Sequence, residues 1–121
     1  MKTINLTMHP ASAEQLSARV VNLGEGLEGV KRALQFETPP TPEDITARAQ
    51  LIASAAVGYK SAMIGGALWL MAPLAAELRA RDIEPLFAFS QRESVETVGA
   101  DGAVTKTNVF RHVGFVPAVE V

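Results

Sequence analysis

The chain has no cysteine. That excludes disulfides and thiolate metal sites, and it fits the reducing cytoplasm in which we place the protein. Only two histidines are present, so a zinc site has few ligands to draw on. Positive charge is not in excess: Lys and Arg number 11 against 13 Asp and Glu, for a formal net charge of −2. A binder of long nucleic acid carries a basic excess. Any polyanion handled here is therefore expected to be small and held by a local pocket. Long apolar runs are missing too. The longest, Ala67 to Ala76, is too short to span a bilayer and is followed by charges. No basic segment followed by an apolar run opens the chain, so no signal peptide is expected. There is no Walker loop and no G-x-S-x-G elbow. The carboxylates are spread over helix faces without an evident catalytic pair.

What is present is enough apolar material for a core. Hydrophobic residues make up 48% of 121 positions, which suits one compact domain over residues 1–121. Thr3 to Thr7 alternates as a first strand and stops at His9-Pro10, because proline forces the preceding residue to extended geometry. Ser12 and Gln15 have capping-box spacing, which predicts a helix over Ala13 to Arg19. Val20 to Leu23 is a second strand, closed by Gly24. Leu27, Val30, Lys31 and Leu34 fall at helical spacing. Thr41 as N-cap with Pro42 at the first helical position predicts a helix ending near Val57-Gly58. Thr38 to Thr41 is the only linker-like stretch, and it is too short to separate domains.

The chain is organised around Ser61-Ala62-Met63-Ile64-Gly65-Gly66, which predicts a short buried strand, a two-glycine turn and the start of an apolar helix. Pro73 predicts either a kinked helix from near Ala67 or a later start near Met71; the kink is the preferred reading. The early turns are apolar all round, which leaves one side for the sheet and another for a partner subunit. Ile83 to Ser90 is a further core strand, with Arg92 and Glu93 just past its carboxyl end. Glu93 to Val98 and Ala103 to Val109 flank Gly99-Ala100-Asp101-Gly102, a hairpin signal. The strand continues to Phe115 with imperfect alternation, which predicts a bulge or bend. Strands alternating with helices predict an α/β fold: a small Rossmann-like three-layer domain, its sheet mostly parallel, with a C-terminal antiparallel hairpin.

In such sheets ligands bind outside the carboxyl ends of the strands. Those ends carry Thr7 and His9, then Gly65 and Gly66, then Ser90, Arg92 and Glu93. Glycines let a ligand approach the backbone, and the helix behind them offers unpaired N–H groups. Arg92 adds a fork suited to phosphate. Each residue has a plainer reading as well. The glycines permit tight strand–helix packing, and His9 caps a turn before Pro10. Arg92 and Glu93 form a solvated pair, Trp69 is core or interface, and His112 beside Arg111 is an edge-strand residue.

The ordered series Gly65-Gly66-Ala67, the apolar helix, Arg81-Asp82-Ile83-Glu84-Pro85-Leu86-Phe87-Ala88, Arg92-Glu93-Ser94-Val95-Glu96, Asp101-Gly102-Ala103-Val104 and Val109-Phe110-Arg111-His112-Val113 resembles small stand-alone CRISPR-associated proteins of the CARF-like ring-nuclease type. Leu6-Thr7-Met8-His9, with Ser12, Glu14 and Gln15, is similar to the start of those chains. The likeness covers the length except Gly24 to Gly58. It implies a Rossmann-like homodimer that binds cyclic oligoadenylate across its twofold axis and linearises it. The reaction is attack of a ribose 2′-hydroxyl on the adjacent phosphate, with neither metal nor cofactor required. The resemblance places Gly65 and Gly66 on the phosphate-facing turn and His9, Ser90 and Arg92 at strand ends. Arg92 would then stabilise phosphate charge, and His9 or His112 would act as acid or base. Thr7, Ser90, Glu93 and Arg111 complete the ligand-binding set with the glycines.

Two other functions compete with this. One is a phage-type protein that sequesters a nucleotide signal without cutting it, which needs the pocket but no acid or base. The other is a protein-interaction module built on the apolar helix with Trp69 and Met71.

Overall fold

The computed structural model describes residues 1–120. In chain order it holds β1 (Thr3–Asn5), α1 (Ala13–Ser17), β2 (Val20–Asn22), α2 (Leu27–Leu34), α3 (Pro42–Ser54), β3 (Ser61–Ile64), α4 (Leu68–Arg79), β4 (Glu84–Val98) and β5 (Val104–Pro117). The strands form a 5-stranded sheet in the order β2-β1-β3-β4-β5. All pairs are parallel except β4–β5, which is antiparallel. The fold is α/β, with a mostly parallel sheet and a C-terminal antiparallel pair.

Local chemistry accounts for most element ends. Ser12 and Gln15 form the expected capping box at α1. The helix stops at Ser17 rather than Arg19, because Arg19 adopts the left-handed conformation, with φ 72°, and turns the chain into β2. Thr41 caps α3 through the Asp44 N–H, with Pro42 in the first turn. Its regular part ends at Ser54, where bonds of the tighter i→i−3 kind take over from Ala55 to Tyr59. α4 starts at Leu68 and runs through Pro73 to Arg79. It ends where Ile83 N–H returns to Leu78 C=O at 2.9 Å and Asp82 turns left-handed.

The core lies on one face of the sheet. Ile4, Leu6, Ala62 and Ile64 pack with Val30 and Leu34 of α2, Ala49 and Ile52 of α3, and Leu70, Leu74 and Leu78 of α4. Side chains alternate along a strand. Thr3, Asn5, Ser61 and Met63 therefore look the other way, and the Thr3 and Ser61 hydroxyls meet at 2.7 Å. Met71, expected as part of an interaction surface, is core at 8% exposure. No helix among the described residues is long and apolar enough to cross a membrane.

One expectation about the sheet changes. Ser90, Arg92 and Glu93 do not follow the end of a core strand. β4 runs unbroken to Val98 because β5 pairs with it from Leu86↔Pro117 to Val98↔Val104, long after β3 has stopped at Ile64↔Phe87. The anticipated irregularity falls between Phe89 and Ser90 of β4, where β5 inserts Val113 as an extra residue.

Candidate functional site

β1 is shorter than the alternation predicts because an asparagine ends it. The Thr7 N–H goes to Asn5 Oδ1 at 2.9 Å instead of a neighbouring strand, and the Thr7 hydroxyl reaches the same oxygen at 2.7 Å. Asn5 Nδ2 donates to the His9 carbonyl at 2.8 Å and to Asn22 Oδ1 at 3.0 Å. Both donors and both acceptor lone pairs of this buried amide are thus used. Asn22 Oδ1 also takes the Ala11 N–H at 2.8 Å. The result ties the turn from Thr7 to Ala11 down on the carboxyl ends of β1 and β2.

α2 runs along this edge. Leu27 and Lys31 wall a cavity of about 190 Å³ with Asn5, Thr7, Met8, His9, Pro10, Asn22 and Leu23. Further on, Gln35 Nε2 lies 3.9 Å from Met8 Sδ. The walls are mainly apolar. The Asn22 oxygen is held twice, and its Nδ2 has no hydrogen-bond partner among the described residues. Lys31 is half-buried, and its ammonium pairs with no carboxylate among the described residues. The His9 ring likewise has no hydrogen-bond partner among them. A cavity with apolar walls and an unpaired cation suits an anion that carries an apolar or aromatic body.

The glycine corner stands beside this cavity. A Cβ on Gly65 would lie 3.6 Å from Thr7 Cγ2. Gly66 has φ +144°, and a Cβ there would meet Leu34 Cδ2 and Met71 Cε at 3.7 Å. So α2 and α4 close over the turn from the core side. Ala67 caps α4 without a side-chain bond, and Leu70 N–H turns back to Ala67 C=O at 3.0 Å. Trp69 leaves the helix start and stands edge-on to Phe36 at 5.4 Å, with Arg48 over the other ring at 4.2 Å. Arg48 also holds the Ala33 carbonyl at 3.3 Å and that of Gln35, which pins the connection after α2.

The remaining sequence candidates lie on β4 and β5. Paired residues share a face, so Ser90 and Arg92 continue the face of Met63 and Leu86, away from the helical core. The Arg92 guanidinium lies 5.7 Å over Phe110, its cross-strand partner. Glu93 and Arg111 fall on the opposite face and pair with each other at 3.2 Å. The extra Val113 brings His112 and Phe115 to one face, with ring centroids 4.8 Å apart. The His112 N–H donates to Glu14 of α1 at 2.8 Å, and its Nδ1 is enclosed without a partner.

The structure therefore brings Thr7, His9 and Gly65 together and gathers Ser90, Arg92 and His112 on one face of the β4–β5 pair. No hydrogen bond or ion pair joins the two groups among the described residues. Nor do three or more His, Asp or Glu gather there as a metal cluster. Sequence reasoning missed Asn5, Asn22, Lys31 and Glu14. The signal for Lys31 was its helical spacing from Leu27. For the asparagines it was one amide closing each of two strands, which carries meaning only once Asn5 and Asn22 are known to be in register.

None of the curated proteins and none of the solved structures matches this chain. One protein-family model does, over residues 1–116. The match takes in β1, the cavity, the glycine corner and nearly all of β5. On that match, the chain belongs to the family described as the Uncharacterized protein MJ1673 family.

Proposed function

We propose that the protein binds a cyclic oligoadenylate at the carboxyl edge of its sheet and linearises it. In this reading the scaffold is a Rossmann-like three-layer domain, with α1 and the base of the β4–β5 pair as its thinner outer layer. One observation carries the proposal. Among the described residues, one cavity is lined by the sequence candidates Thr7 and His9 together with Lys31, whose ammonium pairs with no carboxylate. At 190 Å³ it is too small for a whole ring and would hold part of one nucleotide unit. The base would rest on Met8, Pro10, Leu23 and Leu27. Lys31 and the Asn22 amide would hold the phosphate.

The chemistry asks for a base near a ribose 2′-hydroxyl and charge stabilisation at phosphorus. His9 takes the 2′-hydroxyl proton as the 2′-oxygen bonds to phosphorus. The bond from phosphorus to the 5′-oxygen breaks, and that oxygen leaves with a proton. The products are a 2′,3′-cyclic phosphate and a 5′-hydroxyl. Lys31 offsets the charge that builds on the phosphoryl oxygens. Holding the ligand against a turn tied down by Asn5 supplies orientation, itself a large part of such catalysis.

A second reading, capture without cleavage, has its own support. The Thr7 N–H and hydroxyl are both committed to Asn5, and Arg92 is drawn onto Phe110. His9 is then the one candidate at the cavity able to move a proton. A panel of cyclic oligoadenylates of different ring size, incubated with the protein and separated into cleaved, bound and free species, decides between these. Turnover that disappears in His9→Ala while binding stays supports the nuclease. Lys31→Met should weaken binding by about 10- to 100-fold, the usual worth of a hydrogen bond to a charged group. Binding without turnover in the parent supports capture. Failure to bind any member of the panel refutes both.

A further inference from the structure

We infer that the β4–β5 ribbon is an arm whose partner is a second copy of this chain. The inference is independent of the nucleotide reading. β3 pairs with β4 only from Glu84 to Phe87, yet the β4–β5 ladder runs on to Val98↔Val104. Beyond Phe87 two strands stand without a third. At about 3.4 Å per residue the free part is roughly 37 Å long. Against this, β1, β2 and β3 have only 3 or 4 residues each. Apart from the Glu14 contact at His112, no side-chain bond ties the ribbon to the body among the described residues. A lone two-stranded ribbon is marginal in water, and its unpaired edges invite pairing.

Both faces of the ribbon carry apolar side chains left in solvent. Phe110, Val98 and Val104 lie on one face, with Phe110 71% exposed; Phe89, Val95 and Val109 lie on the other, with Phe89 49% exposed. A ribbon that covered only its own body would alternate apolar and polar faces. Charge narrows the partner. Between Ser90 and Arg111 the cations are Arg92, Lys106 and Arg111 and the anions are Glu93, Glu96 and Asp101, three against three. Glu96 pairs with Lys106 at 3.6 Å and Glu93 with Arg111 at 3.2 Å. A neutral ribbon with four of its six charges already paired suits neither nucleic acid nor an anionic membrane. It suits a surface like itself.

The same chain carries a receiving surface. Beside the base of the ribbon a groove runs between α4 and the residues after β5, walled by Leu68, Ala72, Ala76, Phe87 and Val119. Leu68 is 87% exposed and Val119 82%. Under a twofold axis each arm can lie along the partner's ribbon with one face and approach this groove with the other, so the contacts close as a dimer. A ribbon face of about 37 by 10 Å covers some 370 Å². Two faces on each of two arms then bury at most about 1,500 Å² in total, since His112 and Phe115 at the base already lie against the body, and this is within the range of a standard stable interface.

The test is sedimentation velocity of the full chain across a concentration series, with hydrogen exchange of the Val95 and Val109 amides measured in parallel. The parent should dimerise with a Kd below about 10 µM. The ribbon amides should be protected in the dimer and lose that protection on dilution. The double variant Val109→Thr, Phe110→Thr keeps β-branched residues in the strand. It should raise Kd by about 30-fold or more, the loss expected for a central aromatic anchor, with unchanged helical circular dichroism. A parent that stays monomeric throughout the series overturns the inference. So does a dimer that the double variant leaves intact while the ribbon amides exchange freely, because its interface then lies elsewhere.

Discussion

Asn5 Nδ2 donates to Asn22 Oδ1 at 3.0 Å, so the residues that end β1 and β2 are joined by their side chains. Their backbones are register partners in the parallel ladder. The pair does two jobs. It replaces the ladder bonds lost where the strands stop, and it holds the Thr7–Ala11 turn that walls the cavity. Because Asn5 is 4% exposed, no water can take over its four bonds. Asn5→Ala should therefore cost about 3 kcal/mol, at the upper end for a buried polar network. Urea unfolding should show a lower midpoint with an unchanged slope.

The two central glycines should differ sharply. Gly66→Ala meets only ordinary contacts at 3.7 Å, but it forces an L residue to φ +144°. A cost of about 2 kcal/mol is expected from the backbone alone. Gly65→Ala places its methyl 3.6 Å from Thr7 Cγ2, with no left-handed backbone. It should stay within about 1 kcal/mol of the parent. Denaturation midpoints for the two variants check this, and equal effects would contradict it.

Two leucines on α4 test where the core lies. Leu74 has 0% exposure and Leu68 has 87%. Leu74→Ala should lose about 3 kcal/mol through transfer and cavity terms together. Leu68→Ala should change stability by no more than about 0.5 kcal/mol. The comparison needs only two equilibrium unfolding curves on the isolated chain at low concentration.

Trp69 is the single tryptophan and reports on its neighbours. It leans on Phe36, which Arg48 covers while holding the carbonyls of Ala33 and Gln35. Arg48→Ala should release that connection, shift Trp69 emission to the red and cost about 2 kcal/mol. Arg48→Lys keeps the charge without the planar fork and should recover only part of the loss. An unshifted spectrum in Arg48→Ala would show that the stack stands without the guanidinium.

At the base of the ribbon, Glu14 accepts the His112 N–H at 2.8 Å. Glu14→Ala removes that bond and leaves the capping box of Ser12 and Gln15 intact. The exchange rate of the His112 amide should rise about fivefold, matching roughly 1 kcal/mol for a partly exposed bond to a charged acceptor. Exchange at Val30, in the core, should not change.

Local rules made much of the fold legible. The Ser12–Gln15 box, Thr41 before Pro42, the alternation around Ile4 and the turn at Gly99 to Gly102 each act within a few residues. Each placed its element close to where the structure has it. The end of β1 escaped because it depends on the Asn5 side chain taking the Thr7 N–H, a competition that alternation does not report. Arg92 escaped for a different reason. Nothing near it in the chain says that β5 keeps pairing after β3 has stopped, so a residue expected at a strand end stands in the middle of a ribbon.

From the residues alone follow the class of the fold, the order of its elements, the absence of disulfides and the lack of a basic surface. These rest on composition and on bonds closed within a turn or two of chain. Tertiary structure alone brought Asn5 to Asn22, laid α2 along the carboxyl edge with Lys31 in the cavity wall, set Arg92 over Phe110 in the ribbon and left the ribbon beyond Phe87 without a third strand. Each of these depends on register between segments far apart in the chain, and a shift of one residue reverses which face a side chain looks to.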